Sequence, residues 1–211
     1  MKIKICGMKY ADNVRDIALL SPDYMGFIFY AKSKRYAVDT IKSKTFKNVP
    51  ENILKVGVFV NESLKVIEPI VKAYKLDILQ LHGNESAKEC SVLKQKGYTI
   101  IKAFSIGSTF DFSLLNEYES TVDYFLFDTE TPDYGGSGNS FTWQILENYK
   151  LSKQFFLSGG LGLHNLDEVV QFKHPMLHGY DFNSRLEIEY GLKDVAAVQS
   201  LIQKIKNYER I

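Results

Sequence analysis

Eight short apolar runs, each separated from the next by a polar or helical segment, constrain this chain more than any other feature. They read Lys2–Cys6, Tyr24–Tyr30, Leu54–Val60, Asp77–His82, Thr99–Phe104, Asp123–Asp128, Gln154–Ser158 and Leu177–Phe182. Val, Ile, Phe and Tyr dominate them, and most are apolar on consecutive rather than alternating positions. Strands covered on both faces, as in a parallel sheet wrapped by helices, have this character.

The intervening segments carry helical spacing. Asp12 is placed to cap a helix through Val14, Ile17, Ala18 and Leu20. Asn61 or Ser63 opens one through Val66, Ile70 and Val71, and Ser86 one through Cys90, Leu93 and Lys94. Asn165 starts another through Val169 and Val170, and Val195, Val198, Leu201, Ile202 and Ile205 form a closing stripe. Weaker signals lie at 39–46 and 110–118. Eight strands alternating with helices in 211 residues predict a (β/α)8 TIM barrel, a single domain over residues 1–211. The competing open, doubly wound sheet usually has fewer strands at this length.

The totals narrow the partners. Basic and acidic residues number 26 and 25, so there is no bulk charge to attract nucleic acid or an anionic membrane. No run approaches the roughly 20 apolar residues of a membrane span, and no signal-peptide pattern is present. A cytoplasmic protein acting on a small molecule is expected. The two cysteines, Cys6 and Cys90, lack zinc-ligand or CxxC spacing, so neither a metal nor a redox pair is indicated.

A barrel gathers its strand ends at one mouth, which makes the last residues of each run the site candidates. Two stand out. Cys6 closes the first run ahead of Gly7, and Asp128 closes the sixth. A thiolate can act as base or nucleophile, and a carboxylic acid opposite it can protonate an oxygen. Environments that push their pKa values apart would arrange the two protons oppositely. For Cys6 alone, a buried strand residue is an equally good reading. Ser158-Gly159-Gly160 and Asp181-Phe182-Asn183-Ser184 follow the last two strands, where barrel enzymes commonly hold a phosphate, although a Gly-Gly pair also suits a plain tight turn. Arg35, in Ser33-Lys34-Arg35-Tyr36, has the guanidinium fork that grips a carboxylate. Gln80 and His82 suit either packing or pocket lining. Gly135-Gly136-Ser137-Gly138 suits a flap over Asp128, or a flexible loop. Trp143 and Cys90 read as helix packing, and His164, His174 and His178 carry no pattern.

Taken together these stretches resemble the phosphoribosylanthranilate isomerase family. The resemblance runs from Lys4-Ile5-Cys6-Gly7-Met8 through Gly26-Phe27-Ile28-Phe29, Ser33–Tyr36 and Val56–Asn61 to Leu79-Gln80-Leu81-His82-Gly83-Asn84-Glu85. It continues with Asp128, Gly135–Gly138, Phe141-Thr142-Trp143, Leu157–Leu161 and Asp181–Ser184, nearly the whole chain in family order. It implies an Amadori rearrangement of N-(5-phosphoribosyl)anthranilate in tryptophan biosynthesis, without metal or organic cofactor. By the same resemblance Cys6 is the general base, Asp128 the general acid and Arg35 the carboxylate holder. Gly159, Gly160 and the stretch Asp181 to Ser184 would bind the phosphate. Gln80 and His82 are carried as substrate-binding candidates, and a monomer or homodimer is expected.

The chain departs from the family pattern at four places. Arg185 stands for a glycine beside the phosphate, Tyr190 and Lys34 for prolines, and Asn139 for a lysine. Two rivals remain at this stage. One is the related histidine-pathway isomerase, which uses two aspartates and is disfavoured by Cys6. The other is a phosphate-binding barrel without catalysis, which the change at Arg185 permits.

Overall fold

The computed structural model describes residues 1–38, 40–129 and 143–208. Its centre is a closed barrel of eight parallel strands in sequential order. They are β1 (Lys2–Ile5), β2 (Tyr24–Ile28), β3 (Leu54–Phe59), β4 (Ile78–Leu81), β5 (Thr99–Ile106), β6 (Tyr124–Thr129), β7 (Phe155–Ser158) and β8 (Leu177–Phe182). β1 closes the cylinder against β8 with Lys4 beside Asp181 and Ile5 beside Phe182. All eight expected runs are therefore strands, and the open sheet is excluded.

Five α-helices are present among the described residues: α1 (Ala11–Leu19), α2 (Leu64–Tyr74), α3 (Ala87–Gln95), α4 (Leu166–Gln171) and α5 (Val195–Tyr208). Ser86 caps α3 as expected: its side chain accepts from the Glu89 N–H while the Glu89 carboxylate takes the Ser86 N–H. Asp12 does not cap α1. The cap position is Tyr10, and Asp12 sits in the first turn, paired with Arg15. The weak segments behave differently from the strong ones. Short 3-10 helices stand at Ser43–Asn48 after β2, at Phe112–Leu115 after β5, and at Trp143–Asn148 after β6. A short two-stranded antiparallel ribbon, β9 (Glu187–Glu189) and β10 (Leu192–Lys193), adjoins the last strand.

Strand alternation sorts the side chains into two cores. The outer one lies between sheet and helices and includes Ile3, Ile5, Phe27, Leu79, Leu81, Phe125, Phe127, Tyr180 and Phe182. The inner one fills the cylinder with Tyr24, Val56, Ile78, Ile101, Ala103, Leu126 and Phe156. Continuing the inner parity toward the carboxyl ends gives Lys4 on β1 with Cys6 just beyond it, Gln80 on β4 with His82 just beyond it, Asp128 on β6 and Asp181 on β8. The same two-residue period that packs the barrel thus aims its polar residues into the mouth.

Candidate active site

Cys6 follows β1 directly, and its N–H donates to the Phe182 carbonyl at 2.8 Å, so the closure of the barrel holds it in place. The residue is 4% exposed. It lies against Gly26 of β2: a Cβ at Gly26 would come within 2.6 Å of the Cys6 Sγ. Position 26 must be glycine if the thiol is to stand where it does.

Beneath the thiol, on the same strand face, is Lys4, wholly buried. Its ammonium donates to Asp181 Oδ2 at 2.8 Å, and its charge acts on the thiol two residues along the same strand face. Burial pushes the Cys6 thiol up, the Lys4 ammonium pulls it back, and Asp181 pushes it up again. Lys4 is itself pulled down by burial, but Asp181 and Cys6 outweigh this and hold it above the ordinary lysine value. Asp181 is pushed up by burial against the pull of Lys4, with Asp128 adding to the push and His82 opposing it. These groups therefore share one electrostatic neighbourhood inside the mouth.

Asp128 sits across that neighbourhood, more than a third exposed, with His82 Nε2 at 3.4 Å from its Oδ2. The His82 Nδ1 is in turn 3.0 Å from Gln80 Nε2. With the Gln80 amide donating there, the imidazole carries its proton on Nε2 and presents it to Asp128. Gln80 is thus a buried support for His82. The adjoining turn is structural: the Glu85 carboxylate accepts from the backbone N–H groups of Asn61 and Gly83. Lys102 closes the same turn on the Gly83 carbonyl at 2.8 Å and on Glu85 at 3.2 Å.

Arg35 reaches the mouth from the loop after β2. Glu187 of β9 takes its Nε at 2.8 Å and its Nη2 at 2.6 Å, a two-point grip that leaves Nη1 outside the pair. The guanidinium also lies over the Tyr190 ring, 5.0 Å from its centroid, and the Lys34 ammonium approaches the same ring at 4.5 Å. Glu187 holds Lys193 as well, at 2.7 Å, and Lys193 donates to Asn183 Oδ1 at 2.8 Å. Burial pushes the Glu187 carboxyl up, but Arg35 and Lys193 together bring it below the usual carboxylate range.

The glycines after β7 turn the chain with φ of 101° at Gly159 and 61° at Gly160. The loop after β8 lies beside them: a Cβ on Gly162 would meet the Arg185 Cβ at 2.7 Å. Asn183 and Ser184 stand in that second loop, whereas Asp181 is part of β8 and 5% exposed. Asp181 therefore belongs with Lys4 and Cys6, and a buried carboxylate is unsuited to contacting a phosphate. The Gly135–Gly138 stretch and Asn139 lie outside the described residues.

The remaining sequence candidates are structural. Trp143 packs edge-on to Phe172, Cys90 is buried in the outer core with its thiol pushed up to about 11, and His178 meets the Tyr24 hydroxyl at 2.9 Å at the opposite end of the barrel. Lys4, Gly26, Glu187 and Lys193 are the site residues that sequence reasoning passes over. Lysines inside apolar strands, at Lys4 and Lys102, were the available signal, since an unpaired buried lysine is rare. Among the described residues, no cluster of three or more His, Cys, Asp or Glu is placed to hold a metal.

Comparison with known proteins adds four findings. The family model for N-(5'-phosphoribosyl)anthranilate (PRA) isomerase matches residues 3–204. The N-(5'-phosphoribosyl)anthranilate isomerase of Parabacteroides distasonis is 46% identical over 207 residues, covering 97% of this chain and 93% of the relative. The crystal structure of the Thermotoga maritima phosphoribosyl anthranilate isomerase superposes with a TM-score of 0.80 at 29% identity, covering 98% and 99% of the two chains. Another solved structure, of a phosphoribosyl anthranilate isomerase in complex with reduced 1-(o-carboxyphenylamino)-1-deoxyribulose 5-phosphate, gives a TM-score of 0.78 at 26% identity over 98% and 99%.

Proposed function

The chain belongs to the phosphoribosylanthranilate isomerase family, and from that premise we propose how its own residues carry the reaction. The enzyme isomerises N-(5'-phosphoribosyl)anthranilate in tryptophan biosynthesis. The observation that supports the residue assignment is the convergence of Cys6, Asp128, His82 and Arg35 on one mouth, with Cys6 and Asp128 on the inward parity of different strands.

Asp128, protonated, gives its proton to the ribose ring oxygen. The C1–O bond breaks as the nitrogen lone pair forms a C=N bond, opening the ring to a Schiff base. Cys6, as thiolate, takes the proton from C2, and that C–H electron pair becomes a C1=C2 bond while the C=N electrons return to nitrogen. The resulting enolamine gains a proton at C1 and loses its hydroxyl proton to give the ketone. The substrate nitrogen is the electron sink. His82, held by Gln80, orients the Asp128 carboxyl. Arg35 meets the anthranilate carboxylate through Nη1, the edge Glu187 leaves open. The loops at Gly159-Gly160 and Asn183-Ser184 bind the phosphate, with the exposed Arg185 supplying positive charge where the family pattern has a glycine. The partner is thus a phosphoribosyl small molecule, and the chain works as a monomer or homodimer.

Loss of anthranilate fluorescence measures the turnover. Cys6→Ala and Asp128→Asn should each lower kcat by about 10^2–10^4-fold with the circular dichroism spectrum unchanged. Near-normal turnover in Cys6→Ala would mean that another group is the base.

A further inference from the structure

A thiol shut away from water is a poor base, because burial favours its neutral form. Among the cations that act on Cys6 is Lys4, wholly buried two residues away on the same strand face. That cation is shared. Lys4 Nζ is 2.8 Å from Asp181 Oδ2, and strand pairing puts the two residues side by side. The other carboxylate oxygen, Asp181 Oδ1, is buried and has no hydrogen-bond partner among the described residues. One ammonium thus faces two acids, and one of the acids has an open acceptor.

We infer that Lys4 and Asp181 are positioning residues for the reaction, forming with Cys6 a triad in which one negative charge is divided between the thiol and the carboxyl around a fixed ammonium. When Asp181 is ionised, Cys6 keeps its proton. When the proton moves to the open oxygen of Asp181, the sulfur keeps the S–H electron pair and becomes the thiolate beside Lys4. The exchange conserves the net charge of the buried cluster, whereas release of the thiol proton to solvent would leave an extra buried anion.

The neighbours act on the same balance from every side. Lys193 of β10 also draws the thiol toward its anionic form, and the field of Cys6 is felt at Arg35. Glu187 of β9 neutralises both of those cations. Asp128 and His82 face Asp181 with opposite effects. Gly26, on the remaining side, carries no charge. Lys4 and Asp181 are therefore the pair nearest the thiol whose removal should move it in opposite directions.

This inference rests on the reading of Cys6 as the base, but its test does not need substrate. The 13Cβ resonance of Cys6 in cysteine-labelled enzyme reports thiol ionisation across about pH 6–12, with Cys90 resolved as an internal control. Lys4→Met should raise the Cys6 midpoint by about one pH unit or more, and Asp181→Asn should lower it by a comparable amount. The acid limb of kcat/KM should follow each change, with kcat affected more than KM. A purely structural role predicts movement in one direction, toward the value of an exposed thiol. If Lys4→Met alone fails to fold, the charge-neutral double variant Lys4→Met/Asp181→Asn should place the midpoint above the parent, because Lys4 shares the thiol's own strand face while Asp181 faces it across the β1–β8 pairing. Single variants that shift together, or a double variant at or below the parent, overturn the inference. Should Cys6→Ala turn over normally while these opposite shifts are seen, the reading of Cys6 as the base fails and the charge-sharing stands.

Discussion

Replacing Gly26 by alanine adds one methyl group at the point where β2 passes the Cys6 thiol. The new Cβ would lie 2.6 Å from Cys6 Sγ, 3.1 Å from Cys6 Cα and 3.2 Å from Cys6 Cβ. Comfortable separation of such atoms is about 3.5–4.0 Å, so the sulfur must move by about 1 Å. The backbone has little room to give. The Cys6 N–H is tied to the Phe182 carbonyl, and the Met8 N–H to the carbonyl of Gly26 itself. Displacement therefore falls mainly on the Cys6 side chain and turns the sulfur away from its place over Lys4. A misplacement of about 1 Å costs about 10^2-fold in rate, while crowding one methyl into a packed site costs about 1–3 kcal/mol of stability. Gly26→Ala should thus show a hundredfold lower kcat in the anthranilate fluorescence assay, a KM changed only a few-fold, and a melting transition that remains cooperative. A variant with kcat within about threefold of the parent would refute the claim that β2 fixes the thiol against Gly26.

Two further outcomes probe the cluster around Arg35. Glu187→Gln removes the carboxylate that grips both Arg35 and the buried Lys193, so it should raise KM and cost about 3 kcal/mol in chemical denaturation. The folded-state pKa of Glu187 is depressed, so its contribution is complete above the unfolded value of about 4.3 and fades as pH falls toward the folded one. Melting curves of parent and Glu187→Gln should accordingly converge on acidification from neutral pH; a gap that widens instead would contradict the ion-pair account. Tyr190→Ala strips the ring from under Arg35 and Lys34. A contact of this kind is worth about 0.5–1 kcal/mol at an exposed position, so KM should rise about two- to fivefold with kcat unchanged, and an unaltered KM would show that the ring does not position the guanidinium.

The strands are legible in the sequence because a covered barrel strand needs apolar residues on both faces, and few other arrangements do. The helices are less so. After β2 and β5 the apolar positions are too irregular for a lasting helical stripe, and 3-10 turns suffice to cover the sheet. Cys6, Asp128, Arg35 and His82 are readable from their places at strand ends, since the barrel itself decides where those ends meet. What the sequence conceals is polarity below the rim. Asp181 looks like the start of a loop until strand pairing places it inside, beside Lys4. Lys4 is one more member of the first apolar run until parity puts it under the thiol. Glu187 and Lys193 acquire meaning only through an antiparallel ribbon that no apolar alternation announces, because its residues are largely polar.

The pairing of β1 with β8 has a further consequence, for the order in which the molecule is made. Lys4 and Asp181 are separated by 177 residues, and Cys6 is anchored to Phe182 across the same seam. Contacts so distant along the chain bear the greatest loop-closure cost and belong among the late events of folding. A chain with its first six strands paired would already carry both Cys6 and Asp128, yet the thiol would have neither its backbone anchor nor the acid that shares its ammonium. On the proposed roles of Cys6 and Asp181, competence arrives with the pairing of β1 and β8, and the appearance of turnover during refolding should date the closing of the cylinder.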